Sequence, residues 1–391
     1  MHRPIAAPVT TTLAVSLAAT VTALTIASAP TAGATGEGRP APTPAQPLTR
    51  AATKAPTKAA GFTPARTVGY PIQSASATPH GVWTAGLSGD SSAPRSVVVE
   101  RLRDGRWSRT TLAVAATGSV QISALDDQEA WLTYPTATGS TLLRFDGKRW
   151  GAVALPAGVS TVTTLSDLPG GGAMIGSVVF GPPHATAWSY DARRHGWTFY
   201  GSIPETFSSF QQGFKQTRSG VVSIGALYRA EAVVTSSGGD WQGKGLVAQL
   251  GPIGSHVTDW HVLASGEVVA LGAQQAPPPW GGVDLCKIVN PSTAQARWCS
   301  TNGRPIAASA LLGDGSLVMA RSANDQAGAG FTRRASITAP DTALRGSLGA
   351  GAVELSAAPG SLTVWAVTAT GTGSQIQSYT APKKPGRPSH R

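Results

Sequence analysis

A chain of 391 residues with 46 glycines, 29 prolines and only 13% charged residues is not composed like a bundle of long helices; such punctuation suits many short strands. The length accommodates one large all-β domain or two ordinary ones. The formal charge of +11 sits mostly at the ends, on Arg39, Arg50, Lys54 and Lys58 and on Lys383, Lys384, Arg387 and Arg391. The part between is nearly neutral, so no nucleic-acid partner is expected.

Residues 1–34 read as an export signal. His2 and Arg3 precede an uncharged apolar run, Leu13 to Ala27, and then small residues, with Ala32-Gly33-Ala34 as the cleavage site. The run is too short to cross a bilayer comfortably, so no transmembrane span is expected after cleavage. Residues 35–61 are Pro, Ala and Thr with few large apolar side chains, and read as a disordered tether. The basic tail 382–391 reads the same way. The expected location is secreted or extracellular, with cell-wall association through the basic ends as a further expectation.

Between the tails, 62–381, an apolar run recurs. It is centred on Trp83, Trp131, Met174, Val222, Val269, Leu317 and Trp365, a spacing of about 47 residues that falls in the range of a four-stranded propeller blade. Each of the first five units then offers a strand, a tight turn and a tryptophan: Trp107, Trp150, Trp197, Trp241 and Trp298. In "LLRFDGKRW", Asp146-Gly147 is a hairpin signal, and the tryptophan is expected to cover the gap to a neighbouring blade. Ser-Ala pairs at Ser74, Ser123 and Ser356 lie eight or nine residues before a tryptophan, where small side chains suit crowded innermost strands. The last unit lacks a strand, and Phe62 to Gly69, similar to "GFTRRASI" at Gly330, is expected to supply it. The fold class is therefore all-β, a seven-bladed β-propeller, expected to be a monomer.

Cys286 and Cys299, with twelve residues between them, flank the turn-rich "NPSTAQA". In an exported chain they are expected to form a disulfide across a hairpin rather than a zinc or redox site.

These units resemble those of secreted actinobacterial β-propellers, whose blades carry "S-A-…-W-A-V-G" and then "…W-D-G-…-W". Unit three, with its glycine run, Tyr190 and Trp197, is similar to a kelch blade, as in the central domain of galactose oxidase. The resemblance implies fold; propellers host unrelated activities.

Little local chemistry is visible. His80, His184, His195, His256 and His261 form no metal-binding pair, so no metal and no cofactor are expected. Asp126, Asp127 and Glu129 read as a solvent-facing loop, with an acid/base pair or a calcium site as the alternative. Arg101, Arg103, Arg106 and Arg109 read as alternating on one face of an outer strand, with Arg101 and Arg103 as candidate contacts to a sugar or anion. Trp280, among prolines in "QAPPPWGGVD", is a candidate stacking platform. The expected function is a non-catalytic binding or interaction module, for glycans or cell-wall polymers. The alternative is a carbohydrate-active hydrolase or lyase, or a copper oxidase like galactose oxidase, with its site at one mouth of the channel; no catalytic residue is assigned.

Overall fold

The structure is a computed structural model. It describes residues 60–383 except 91–94, 170, 180–183, 204–206, 211–212, 218–219, 228–229, 250–254, 276–281, 300–303, 324–327 and 350. The export signal, nearly all of the tether and most of the basic tail lie outside the described residues.

Seven antiparallel sheets follow one another along the chain, six with their strands in sequence order and the last completed by the first strand of the chain. Blade 1 shows the plan: Ile72–Thr78 innermost, then Gly81–Ser88, Arg95–Arg103 and Arg106–Ala116 outermost. Blades 2 to 6 span 121–153, 162–202, 207–249, 255–298 and 306–344. In blade 4 the inner position is shared by two short strands, Phe207–Phe210 and Lys215–Thr217. All seven apolar anchors of the repeat lie on the second strand of a blade. Those strands carry apolar side chains on both faces because each is sandwiched between two neighbouring sheets.

The core is therefore divided. Seven apolar clusters form, one between each adjacent pair of blades. Four of the five recurrent tryptophans cover the seam to the preceding blade as expected. Trp107 lies under the Arg66 guanidinium at 5.0 Å. Trp150 meets Trp83 edge-on at 5.9 Å. Trp197 donates from Nε1 to the Ala154 carbonyl at 2.7 Å, and Trp241 is fully buried. Trp298 departs from the expectation, being 57% exposed. Its seam is filled instead by close approach of the preceding blade's outer strand: at Gly245, with φ +68°, a β-carbon would come within 2.8 Å of Val289 Cγ1.

The "LLRFDGKRW" stretch is the predicted hairpin. Gly147 has φ +92°, Asp146 Oδ1 accepts the Lys148 and Arg149 amides at 2.9 Å each, and Leu143 and Phe145 are buried.

An innermost strand has one edge without a sheet partner, leaving unpaired N–H groups. Side chains of the preceding blade cap them. Ser356 accepts from Ala77 N, Ser76 from Ala124 N, Ser123 from Asp167 N, Ser166 from Phe214 N, Glu231 from Val257 N and Asp259 from Ser309 N. The Ser-Ala signal thus reflects more than small size: Ser123 and Ser356 use their hydroxyls to join blades, and Ser74 accepts the Ile122 amide at 3.2 Å.

The ring closes as the sequence indicates. Thr63–Val68 pairs antiparallel with Ser374–Thr380 as the outer strand of the last blade, after Gly351–Ser356 and Thr363–Ala369. Phe62 stacks on Phe331 at 4.1 Å, so the two similar "GFT" segments touch. Arg66 Nε lies 2.7 Å from Glu100 Oε2, tying the closing strand to blade 1.

Cys286 and Cys299 form the expected disulfide. Cys299 N also donates to the Cys286 carbonyl at 2.9 Å, adding a rung to the hairpin. Among the described residues no helix is long and apolar enough to cross a membrane.

Candidate functional site

Among the described residues, side chains capable of recognition or chemistry meet on the innermost strands and in the seams on either side of the outer strand of blade 2, Trp150–Val153.

On the innermost strands, side chains from three blades meet. Lys215 of blade 4 donates to the Trp260 carbonyl and lies 3.5 Å from His261 Nδ1. His261 Nε2 is 2.8 Å from Ser309 Oγ of blade 6, and that hydroxyl donates to Asp259 Oδ2 at 3.0 Å. With an ammonium facing Nδ1, the imidazole is assigned its proton on Nε2. The four groups then form one directed chain, Lys215 to His261 to Ser309 to Asp259. Burial, reinforced by the Lys215 charge, holds the His261 pKa well below the usual histidine range. Burial also lowers Lys215 and raises Asp259, each opposed by the other's charge. This is not a Ser-His-Asp triad: the carboxylate contacts the serine instead of holding the far imidazole nitrogen. Ser309 is 1% exposed, so a substrate carbonyl cannot reach it. The chain joins blades 4, 5 and 6.

Glu354, on the innermost strand of blade 7, accepts from Ala75 N. Burial, the nearby Asp259 charge adding to it, pushes its pKa up to about 8. A glutamate whose folded-state value exceeds its ordinary 4.5 is held protonated by the fold. Its stabilising contribution is complete at and below that ordinary value and falls away as pH rises toward about 8. The variant Glu354→Gln keeps an acceptor for Ala75. It is expected to lose less melting temperature than the parent between about pH 5 and about pH 8.5; the same loss in both proteins would contradict the assignment.

The seam between blades 1 and 2 opens into a cleft of about 260 Å³ lined by Trp83, Arg101, Phe145, Lys148 and Trp150 among others. Arg101 lies 5.0 Å from the Trp83 ring and 5.5 Å from that of Phe145, and donates to the Asp127 carbonyl at 3.1 Å. Arg103 is half-exposed, 3.5 Å from Asp104 and 3.8 Å from Asp127. The four arginines do not share one face. The chain turns at Asp104-Gly105, and Arg103 pairs with Arg106 across the hairpin while Arg109 pairs with Glu100. That puts Arg109 on the opposite face, 5.2 Å from the Tyr70 ring.

The seam between blades 2 and 3 opens into a larger cleft, about 470 Å³, lined by 152–157 together with Trp188, Tyr190, His195 and Trp197. The rings are locked by one another: Tyr190 meets Trp197 at 5.0 Å and Trp131 at 5.3 Å, and Trp188 meets the exposed Phe199 at 5.1 Å.

The acidic loop of blade 2 is not the solvent-facing cluster expected. Asp126 Oδ1 caps the Gln128 and Glu129 amides, and Glu129 pairs with Arg144 at 2.9 Å. Asp127 is 4% exposed and accepts from Thr78 Oγ1 at 2.6 Å. The three carboxylates diverge because Asp127 is used to bind blade 2 to blade 1. Trp280 lies outside the described residues. Among the described residues, no group of three or more His, Cys, Asp or Glu is placed to hold a metal.

Together these features define a seven-bladed β-propeller closed by its own N-terminal strand. No protein-family model and no curated protein matches the chain. Solved structures do, at the level of fold. The β-propeller domain of the Trilobed protease from Pyrococcus furiosus has a TM-score of 0.56 at 9% identity, over 81% of this chain and 97% of that one. That domain is described as having an open velcro topology, whereas here Thr63–Val68 closes the ring. The polysaccharide lyase Uly1 has a TM-score of 0.53 at 10% identity, over 85% and 94%. PorZ, a surface component of the type-IX secretion system of Porphyromonas gingivalis, has a TM-score of 0.52 at 11% identity. The match covers 82% of this chain and about half, 48%, of PorZ.

Proposed function

We propose that the protein is an exported, non-catalytic propeller that binds glycans, such as cell-wall polymers. The observation that carries this reading is the cleft between blades 2 and 3. Trp188, Tyr190 and Trp197 present a rigid aromatic lining beside polar His195, suited to stacking against sugar rings at little cost in side-chain entropy. Arg101 and Arg103 remain proposed contacts to the same ligand from the neighbouring cleft and its rim, and Trp280, which lies outside the described residues, remains a proposed stacking residue. Lys215, His261 and Asp259 are committed to one another and to Ser309, which favours binding over turnover. The disulfide is compatible with export.

Affinity electrophoresis of the full chain against a panel of wall polysaccharides tests this. Binding to at least one neutral glycan is expected, weakened about tenfold (~1.4 kcal/mol) by Trp197→Ala. Absence of binding across the panel, or no effect of the substitution, would count against the reading.

A further inference from the structure

The repeat gives its fifth tryptophan the place that the other four use to cover a seam, yet Trp298 lies 57% exposed. Its surroundings are built rather than loose. Trp298 and Lys287 are directly opposed across the last hairpin of blade 5, the rung next to Cys286–Cys299. Successive strand residues point to opposite faces. The disulfide is therefore buried toward blade 6, where both cysteines join the apolar seam, and the Lys–Trp rung is displayed toward blade 4. The covalent rung fixes the backbone of the displayed one.

Lys287 is held in place as well. Its Nζ lies 4.6 Å from the Trp298 ring centre and donates to the Leu246 carbonyl at 3.3 Å. Among the described residues no carboxylate pairs with it, whereas Arg297, the residue before Trp298, is neutralised by Glu267 at 2.5 Å. The result is a flat indole and one uncompensated cation on a stapled hairpin. The Lys287 ammonium lies over one indole face; the exposed other face is suited to stacking on the C–H face of a sugar ring, and the fixed positive charge in the same site favours a ring bearing a negative charge.

We propose that Trp298 and Lys287 form a second binding site, specific for acidic polysaccharide, the uronate class. The proposal shares the glycan-binding reading above but stands on a different blade and a different chemistry.

Calorimetric titration of the full chain with an oligogalacturonate, a neutral galacto-oligosaccharide of equal length and poly-L-glutamate tests it. Trp298→Ala and Lys287→Gln are each expected to weaken the oligogalacturonate at least tenfold with little change in melting temperature, since Trp298 is exposed and Lys287 is only partly buried. Trp298→Phe is expected to retain most of the affinity. Binding of the neutral oligosaccharide should be unchanged by these variants and weakened by Trp197→Ala. Oligogalacturonate binding insensitive to both substitutions overturns the proposal, as does poly-L-glutamate binding that depends equally on Trp298. Loss of oligogalacturonate binding in Trp197→Ala alone would assign the ligand to the blade 2–3 cleft, ending this proposal while leaving the glycan reading intact. Absence of every sugar interaction ends both.

Discussion

A chain shortened to begin at Tyr70 is expected to lose its cooperative unfolding transition, while one beginning at Ala60 keeps it. The removed strand Thr63–Val68 supplies the last blade's outer ladder, and Phe62 fills the space against Phe331 and Tyr379 at 4.1 and 5.6 Å. It also carries the partner of Glu100, whose side chain is 1% exposed. Arg66→Ala alone leaves that carboxylate buried without its cation and should cost about 2–4 kcal/mol, somewhat below a wholly buried pair because Arg66 is one-third exposed. Removing the strand adds the lost ladder, the lost ring packing and a new free edge. The total should exceed about 5 kcal/mol, a large share of the ~5–15 kcal/mol that a typical domain holds. Chemical denaturation followed by tryptophan fluorescence and by circular dichroism measures both effects; a truncated chain with an unchanged midpoint would show that the ring does not depend on its closure.

The second large effect is expected at the seam between blades 5 and 6. Arg321 is fully buried, with Nη1 3.0 Å from Asp284 and Nη2 2.6 Å from Asp341. Arg334, also buried, meets the other oxygen of Asp341 at 2.8 Å. Two cations and two carboxylates are thus buried together in this seam. Arg321→Met should cost about 3–5 kcal/mol, because Asp284 and Asp341 then stay buried without the Arg321 guanidinium. Adding Asp284→Leu removes the Asp284 charge, and the double variant should regain at least half of the loss. A double variant no more stable than the single one would mean that the arginine acts through its shape or its bond to the Arg304 carbonyl rather than through charge balance.

What the sequence made legible follows from what repeats. The apolar anchors, the Asp-Gly turns and four of the five tryptophans recur because every blade must pack against a neighbour, so a period of about 47 residues reports the same contact again and again. The closing strand could be read because the last unit lacked one. The inner-strand caps were only half legible: the small size of Ser123 and Ser356 was visible, but the N–H groups they accept belong to another blade. Lys215, His261, Ser309 and Asp259 gave still less signal, since they come from three different units of the repeat, and only the packing of consecutive blades brings them within hydrogen-bond reach. Asp127 was misplaced for the same reason: beside Asp126 and Glu129 it looks like part of a polar loop, and its burial depends on Thr78, which lies one blade back. Trp298 was assigned a seam by analogy, and what displaces it is the bulge of the preceding blade at Gly245.

On the proposed reading this propeller holds a glycan without changing it. The most direct measurement takes the polysaccharide that the full chain retains most strongly, incubates the two together for many hours, and follows polymer length by size-exclusion chromatography and new chain ends by absorbance and reducing-sugar assays. Retention with unchanged length and no new ends is the predicted result. Shortening of the polymer, or new ends that accumulate with time and with protein concentration, would contradict it.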